Sequence, residues 1–285
     1  MNNSLSLESP AKVNLRLEIL KRREDGYHEL RTIFQKISLH DTLRFSLRKE
    51  RGVSIAADHP KLPVWKNNLA YKAAQSMLKA SSYKGGVHIE IEKRIPLGAG
   101  LGGGSSNAAT TLMALDQLLE MGLPKKSLLA MGLEIGADVP FFLLKGAAIG
   151  SGIGEQLKRV ELPDLWYVLI YPNFEVSTRW AYRNFVLTNQ RFHLNLHRFL
   201  KNPEGISRIL LNHLETVVAK KYPQIGLMKK IIFSAGALGA LMTGSGPTVF
   251  GLFPGERRTI EAYEKIKKMV GRKGWAVYRA HSLTV

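Results

Sequence analysis

The amino-acid sequence predicts an α+β protein with two domains. Its 285 residues are enough for two hydrophobic cores. The first half alternates between strand and helix patterns around one glycine-rich loop, and the second half is mainly helical with short apolar strands. Pro163 follows a second glycine-rich stretch and marks the change between the halves. We therefore predict an N-terminal domain over residues 1–160 and a C-terminal domain over residues 161–285.

The first predicted element is a strand over Ser9–Leu20. Apolar side chains occupy every second position from Ala11 to Ile19, which is the period of a strand with one buried face. This alternation places Lys12 and Asn14 together on the opposite face. The pattern alone predicts that the face carrying Lys12 and Asn14 is solvated.

A turn signal, Asp25-Gly26, follows the first strand, and Tyr27 and His28 come directly after it. An exposed Tyr-His pair at a turn indicates no function by itself. Two further strand patterns cover residues 32–39 and 41–47.

A helix pattern over Asn68–Lys79 comes next, with Asn67 or Asn68 as its N-cap. The strand Val87–Glu92 then leads into the loop described below.

The central stretch of the sequence, Pro96–Asn107, contains five glycines between Gly98 and Gly104. Glycine permits positive φ and leaves the backbone uncovered, so that successive N–H groups can converge on one ligand. A helix pattern follows over Ala108–Leu119, and Ser105 and Asn107 are its predicted caps. Because a helix N-terminus favours anions, the arrangement predicts a phosphate site.

Two better-known phosphate loops fit the sequence poorly. A Walker A loop needs Lys-Ser or Lys-Thr after the glycines, and neither is present. A dinucleotide fold needs a buried parallel strand before the loop, whereas the preceding strand alternates with His88 and Glu90. We therefore favour a triphosphate cradle of another type over both of these and over a flexible linker.

Asp138 is the carboxylate singled out after the loop. A helix pattern begins at Pro124 and extends to Gly136, a predicted C′ residue, and Asp138 precedes Pro140 and two phenylalanines. The pattern alone favours Asp138 as an N-cap. A catalytic base at this glycine corner is the alternative.

The second half of the sequence combines helices with short strands. Strands are predicted at Trp166–Tyr171, Leu238–Met242, Thr248–Phe253 and Trp275–Ala280. Helices are predicted at Ser177–Phe185, Leu194–Leu200, Ile206–Lys220, Gln224–Ser234 and Arg257–Val270. A second glycine turn, Thr243–Pro247, separates two of the strands, and its residues Gly244 and Ser245 could face the first loop across a cleft.

The charge of the sequence is strongly basic, with 41 Lys and Arg against 23 Asp and Glu and a net charge of +18. The basic residues occur as scattered pairs rather than one block with aromatics, so we expect a solvated basic surface and no nucleic-acid partner. No apolar run reaches transmembrane length and the N-terminus lacks a signal-peptide pattern, which predicts a cytoplasmic protein without a membrane partner.

Five segments in one order resemble the GHMP small-molecule kinases. They are Pro10–Asn14, Asp25–His28, Pro96–Ser106, Gly136–Phe142 and Thr243–Thr248. The resemblance implies a two-domain α+β fold with an N-terminal phosphate-loop domain, a C-terminal ferredoxin-like domain and an active site in the cleft between them. The second and fourth segments narrow it to the branch that uses ATP to phosphorylate the 2-hydroxyl of a cytidine diphosphate-linked methylerythritol in the non-mevalonate isoprenoid route.

The resemblance also implies residue roles. Asp138 is the catalytic base and Lys12 its supporting cation, which reverses both interpretations from the pattern alone. Asn14, Tyr27, His28 and Tyr182 bind the substrate, together with Gly244 and Ser245. Trp180 and Phe185 remain alternatives to Tyr182. The ATP-binding residues are Asn68, Pro96, Leu97, Gly98, Ala99, Gly100, Leu101, Gly102, Gly103, Gly104, Ser105 and Ser106.

The expected partners are therefore ATP and a small alcohol. Mg²⁺ is expected to bridge the β- and γ-phosphates, with Ser105 as a candidate hydroxyl contact and no set of protein carboxylates as metal ligands. The alternatives are a GHMP kinase for homoserine or a mevalonate derivative, and a basic nucleic-acid-binding protein. We expect a monomer or a weak homodimer.

Overall fold

The computed structural model describes residues 3–187 and 199–284, and it has the mixed α+β composition that the sequence predicts. The chain forms two compact units whose segments interleave along the sequence. Unit one comprises Met1–Ala11, His40–Leu97 and Gly102–Leu144, and unit two comprises Lys12–Leu39, Gly98–Leu101 and Lys145–Val285. The domain boundary at residue 160 stays a prediction.

Unit one combines a sheet with four helices. Its strands follow the order β3, β4, β2, β1, and their bounds are β1 (Ser4–Arg22), β2 (His28–Arg48), β3 (Gly52–Ala57) and β4 (Gly86–Glu92). The first two strands also contribute residues to unit two. β4 runs antiparallel to β2 with Ile91 opposite Leu43, and β3 runs parallel to β4. The helices are α1 (Leu69–Ala80), α2 (Gly103–Leu118), α3 (Lys125–Ile135) and α4 (Val139–Phe142).

Unit two contains parts of two sheets. In the first, β5 (Ala147–Ser151) pairs with Thr32–Phe34 of β2 and with β6 (Gln156–Val160), and β8 (Leu211–Asn212) runs parallel to β1. The second is antiparallel in the order β11, β7, β10, β9, with bounds β7 (Trp166–Tyr171), β9 (Gly239–Met242), β10 (Val249–Phe253) and β11 (Ala276–His281). The helices are α5 (Thr178–Asn184), α6 (Pro203–Ile209), α7 (His213–Lys221), α8 (Gln224–Ser234) and α9 (Glu256–Val270).

The core of unit two lies on the antiparallel sheet. Helix α9 buries Ala262, Ile266 and Val270, which are four residues apart and therefore share one face. They pack with buried side chains of α8 and of β7 such as Val168. Apolar burial of this kind contributes roughly 25 cal/mol per Å². The aromatic residues Trp180, Tyr182 and Phe185 of the α5 region pack against this core.

Two strand predictions need correction. The strands predicted at residues 32–39 and 41–47 form one continuous strand, β2, because the polar residue Asp41 is fully buried and hydrogen-bonded rather than placed in a turn. The strands β3 and the pair β5–β6 had no strand prediction at all. Glycines in and between β5 and β6 hide the alternation on which such a prediction depends.

The helix predicted over Ile206–Lys220 is two helices, α6 and α7, because the chain leaves the helix at Leu210 and pairs Leu211 with Arg16 of β1. Asn212 then caps α7, since its Oδ1 accepts from the Leu214 N–H at 3.0 Å. The helix predicted at Leu194–Leu200 lies largely outside the described residues. The strand predicted at Ser9–Leu20 is confirmed but begins earlier, at Ser4. Apart from α2, the remaining predicted elements are confirmed to within one or two residues at their ends.

Candidate active site

The glycine-rich loop takes the conformation that only glycine adopts readily. Gly98, Gly100 and Gly102 have φ of +59°, +78° and +72°. Helix α2 begins at Gly103 rather than Ala108, and Gly102 is its N-cap. Ser105 therefore lies in the first helical turn and Asn107 lies further along the helix. Neither residue is the cap that the sequence predicts. The first-turn N–H groups have no partner within the helix and can bind an anion.

Lys12 is buried in unit two, with 4% of its surface exposed. The prediction of a solvated face on β1 is wrong, because the strand is covered on both sides from Ala11 to Ile19. The Lys12 ammonium donates to Asn14 Oδ1 at 2.5 Å and to the Gly100 carbonyl at 3.1 Å. These two contacts fix the cation beside the glycine-rich loop.

The turn after β9 packs on the same loop segment. Thr243 Oγ1 accepts from the Asn14 N–H at 3.0 Å. A Cβ on Gly100 would lie 2.3 Å from the Thr243 carbonyl, and one on Gly244 would lie 2.8 Å from the Gly100 carbonyl. Glycine is therefore required at both positions. Unit two brings Lys12, Asn14, Gly100 and Gly244 together, as the sequence motifs suggested.

Ser245, in the same turn, contacts the start of α5. Its hydroxyl lies 2.8 Å from Thr178 Oγ1, so the turn and the helix are linked by a hydrogen bond. Glu175, just before this helix, lies against Gly98, where an added Cβ would meet its side chain at 2.6 Å. Thr178 and Glu175 could not be predicted as site residues, because both contacts join segments far apart in the chain.

The aromatic residues near α5 have different neighbours. Tyr182 lies over His28, with ring centroids 5.4 Å apart and planes tilted by 31°. Trp180 instead packs edge-on against Tyr222, and Phe185 stacks on His213. Among the three aromatic candidates, Tyr182 is therefore the one that the structure pairs with His28.

Tyr27 and His28 differ in their surroundings. Tyr27 is 61% exposed and its ring is accessible to a ligand. Burial, together with the nearby charge of Arg22, lowers the pKa of His28 below its usual value of 6.5. At neutral pH the imidazole is uncharged and offers one donor and one acceptor.

A buried charge cluster continues along β1. Burial raises the pKa of Glu18, but hydrogen bonds from Arg16 and Arg31, both at 2.6 Å, and their charges lower it by more. The net pKa is below the ordinary value, so Glu18 is ionised at neutral pH. Arg16 also donates to the Ile209 carbonyl at 2.8 Å and so supports the break before β8.

Unit one holds the other predicted residues. Asp138 occupies the N-cap position of α4, as the pattern predicts, but its side chain makes no capping hydrogen bond. Asn68 does cap α1: its Oδ1 accepts from Ala70 N at 2.9 Å and its Nδ2 donates to the Pro63 carbonyl. Ser106 is fully buried and accepts from Ser9 Oγ at 2.8 Å. Its N–H donates to Gly102 within the helix.

Two family models match the chain in sequence order. The GHMP kinases N terminal domain matches residues 68–146, and the GHMP kinases C terminal model matches residues 194–271. A 4-diphosphocytidyl-2-C-methyl-D-erythritol kinase from Geobacter sulfurreducens is 44% identical over 264 residues, which is 92% of this chain and 95% of that protein. The chain belongs to the GHMP kinase family. As a member of this family, it is an ATP-dependent phosphotransferase.

Other relatives and solved structures are similar to this chain over nearly its whole length. A relative with the same printed name from Syntrophus aciditrophicus is 45% identical over 283 residues, covering 98% of this chain and 99% of the relative. A crystal structure of 4-(cytidine 5'-diphospho)-2C-methyl-D-erythritol kinase has a TM-score of 0.86 and 36% identity, and covers 99% of this chain and 100% of its own. Homoserine kinase from Cytophaga hutchinsonii, at 23% identity and a TM-score of 0.75, shares the fold, covering 100% of this chain and 96% of that chain.

These similarities do not favour the nucleic-acid-binding alternative. In the part of the chain that the structure describes, no helix is long and apolar enough to cross a membrane.

Proposed function

We propose that this kinase transfers the γ-phosphate of ATP to the 2-hydroxyl of 4-diphosphocytidyl-2-C-methyl-D-erythritol. The observation that carries the proposal is the identity of 44–45% to kinases with this substrate in their name, over more than nine-tenths of both chains. The pairing of His28 with Tyr182 and the position of Lys12 agree with the proposal.

The phosphate loop holds the triphosphate in this proposal. The N–H groups from Gly102 to Ser105 bind the anionic oxygens, and the positive end of the α2 dipole favours them. Pro96, Leu97 and Asn68 complete the nucleotide site, with Asn68 near the adenine. Because the side chain of Ser106 is buried against Ser9, its contribution is to the shape of the loop rather than to direct phosphate contact.

Asp138 and Lys12 carry the chemistry. Asp138 accepts the proton of the attacking hydroxyl, and the Lys12 ammonium stabilises the negative charge that develops on the transferred phosphoryl group. Phosphoryl transfer depends mainly on positioning and charge neutralisation, so a fixed cation and one base are sufficient. The hydrogen bonds from Lys12 to Asn14 and Gly100 support this role, since they keep the ammonium in one place.

The substrate residues divide by chemistry. Asn14, Gly244 and Ser245 bind the methylerythritol phosphate portion. Tyr27 and Tyr182 offer flat faces to the cytosine, and each stacked base contributes about 1–3 kcal/mol in comparable sites. His28 contacts the polar edge of the base.

Mg²⁺ accompanies ATP in this proposal. Within the described residues, no group of three or more His, Asp or Glu side chains could hold a metal ion. The cation would therefore be bound chiefly by the phosphates, with Ser105 supplying a hydroxyl. When bound, Mg²⁺ neutralises charge on the β- and γ-phosphates. We further propose that the kinase is cytoplasmic and that it is a monomer or a weak homodimer.

The test is a side-by-side assay of ADP release with three acceptors: the cytidyl-methylerythritol substrate, homoserine and mevalonate. We expect turnover with the first alone. The fold is shared with homoserine kinases, so turnover with homoserine or mevalonate at comparable efficiency would contradict the proposed substrate while leaving the kinase assignment intact.

A further inference from the structure

A fully buried carboxylate contacts both ends of the phosphate loop. Asp41, on β2 in unit one, has 0% of its surface exposed. Its Oδ1 accepts from the backbone N–H groups of Arg94 at 2.9 Å and Ile95 at 2.8 Å. Its Oδ2 accepts from Asn107 Nδ2 at 2.9 Å and from the Lys93 ammonium. One side chain therefore receives four hydrogen bonds.

The donors to Asp41 lie on both sides of the loop. Lys93, Arg94 and Ile95 directly precede Pro96, where the loop begins, and Asn107 lies in α2 just after the glycines. The carboxylate thus joins the entry of the loop to its exit. Fixing both ends reduces the conformational freedom that a glycine-rich segment otherwise has.

The ion pair with Lys93 is packed directly against the first helical residue. A Cβ on Gly103 would lie 3.0 Å from Lys93 Nζ and 3.0 Å from Ile95 Cγ2. Burial lowers the pKa of Lys93, and the charge of Asp41 opposes that effect. On the helix side, Asn107 also donates to Ser9 Oγ at 2.9 Å, and Ser9 donates to Ser106. The network therefore sets the position of the first two turns of α2.

Buried ion pairs often contribute little net stability, because desolvation offsets their attraction. Apolar side chains at this position would avoid the desolvation penalty of the ion pair. Among the described hydrogen bonds, the donors to Asp41 come from the two ends of the loop, which indicates a role in geometry. We propose that Asp41 is a positioning residue for ATP: it holds the loop so that the N–H groups of Gly102–Ser105 stay aligned on the phosphates. The proposal rests on the ATP-binding role given to this loop above.

Three variants of the full chain test the proposal. Asp41→Asn keeps the shape but turns an acceptor into a donor toward Lys93 and Asn107. Asn107→Leu removes the hydrogen bond to Asp41 on the exit side of the loop, together with the Asn107 bond to Ser9, and leaves the Asp41 contacts with Lys93, Arg94 and Ile95 in place. Asp58→Asn is the matched control, because Asp58 also accepts from the backbone of Lys93, at 2.8 Å, but is exposed and has no contact of this kind with α2 among the described hydrogen bonds.

The readouts are nucleotide affinity by calorimetry, KM for ATP and for the alcohol substrate, and the melting temperature. We expect Asp41→Asn to weaken ATP binding by about tenfold, as for the loss of charge-assisted hydrogen bonds. Asn107→Leu should act in the same direction, and Asp58→Asn should match the parent. KM for the alcohol should stay within about twofold in all three.

Parental nucleotide affinity in folded Asp41→Asn and Asn107→Leu would overturn the proposal, and so would an equal rise in both KM values, which indicates general disruption. If Asp41→Asn does not fold, Asn107→Leu alone decides, with amide exchange of the loop as a second measurement. Nucleotide binding can be measured without the alcohol. A parent that binds ATP but ignores the cytidyl substrate therefore contradicts the proposed function and leaves this test intact.

Discussion

Lys12 is the fixed cation of the proposed phosphoryl transfer, because its hydrogen bonds to Asn14 and to the Gly100 carbonyl keep the ammonium beside the loop. The alternation along β1 correctly predicted a strand, but it also predicted solvent on the face of Lys12, where the structure has a second packed layer. Local patterns report the period of a strand and do not report what covers its polar face. The family motifs, in contrast, singled out Lys12, Asn14 and Gly100, and the structure brings these three together.

For Asp138, we expect that Asp138→Asn lowers kcat by about 10²–10⁴, the usual contribution of a general base. The amide preserves size but cannot accept the hydroxyl proton. ATP affinity should change little, because the residue acts on the acceptor. Steady-state assays and calorimetry check both quantities, with the exposed Asp164→Asn as control. A kcat within a few-fold of the parent would remove Asp138 from the mechanism.

Tyr182 and Trp180 provide a matched pair on one helix. Tyr182→Ala should raise KM for the cytidyl substrate through loss of about 1–3 kcal/mol of stacking, with KM for ATP unchanged. Trp180→Ala should leave substrate KM near the parental value, because Trp180 packs on Tyr222 and not on His28. If Trp180→Ala instead raised KM for the cytidyl substrate and Tyr182→Ala did not, Trp180 would be the residue that stacks on the cytosine.

The pH dependence of substrate use follows from His28. Its pKa is lowered below 6.5 by burial and by Arg22, so the ring is neutral at pH 7 and gains a proton only as the pH falls through that lowered value. Protonation removes the acceptor that a cytosine amino group needs. The kcat/KM for the cytidyl substrate should therefore decrease on the acid side below pH 6.5.

A His28→Gln variant provides the control, because its amide does not titrate and the acid limb assigned to residue 28 should flatten. KM for ATP, measured in parallel, should not follow the same curve. An acid limb that is unchanged in His28→Gln would show that another group titrates.

At the scale of elements, local signals predicted those helices and strands whose burial follows a regular period. Helix α8 and strand β7 were predicted with their observed bounds. Where long-range contacts decide, the prediction differs from the structure. The break before α7 depends on Arg16 and on Asn212, whose amide donates to the Met242 and Gly244 carbonyls. No pattern within a single segment contains these partners.

The start of α2 shows the same limit. The glycines suggested a loop up to Asn107, yet the helix already begins at Gly103, because buried contacts to Ser9 and Asp41 stabilise residues with low helix propensity. The order of the motifs could be predicted from the sequence. The supporting network beneath the loop could not, since its members are spread from Ser9 to Asn107.

For the loop, Gly100→Ala should abolish measurable nucleotide binding or reduce it strongly. The new Cβ combines a φ of +78° with a contact 2.3 Å from the Thr243 carbonyl, which must move. Gly122→Ala is the control, because Gly122 has a φ of +60° and open space around its Cβ. Both variants carry the left-handed penalty of about 1–2 kcal/mol.

Only Gly100→Ala is expected to change nucleotide affinity in calorimetry, on samples shown to be folded by circular dichroism. Equal nucleotide affinity in the two variants would show that this segment does not form the phosphate site.

At the scale of the whole molecule, the two compact units do not correspond to two halves of the sequence. Residues 98–101 of the loop belong to unit two, while Gly102 and α2 belong to unit one. The net charge of +18 is not explained by any contact in the site. A positive field attracts polyanionic substrates such as ATP and a nucleoside diphosphate derivative, and salt screens it beyond roughly 10 Å at 0.1 M.

Recognition of a cytidyl alcohol by this GHMP kinase, as proposed above, can be tested by comparing two substrates. The comparison is between kcat/KM for the cytidine substrate and kcat/KM for its uridine analogue, in which a carbonyl acceptor replaces the amino donor. A site that reads the edge of the base through His28 should use the uridine analogue less efficiently by about 10²-fold or more. Equal kcat/KM for the two nucleotides would show that the site does not recognise the cytosine and would contradict the proposed substrate.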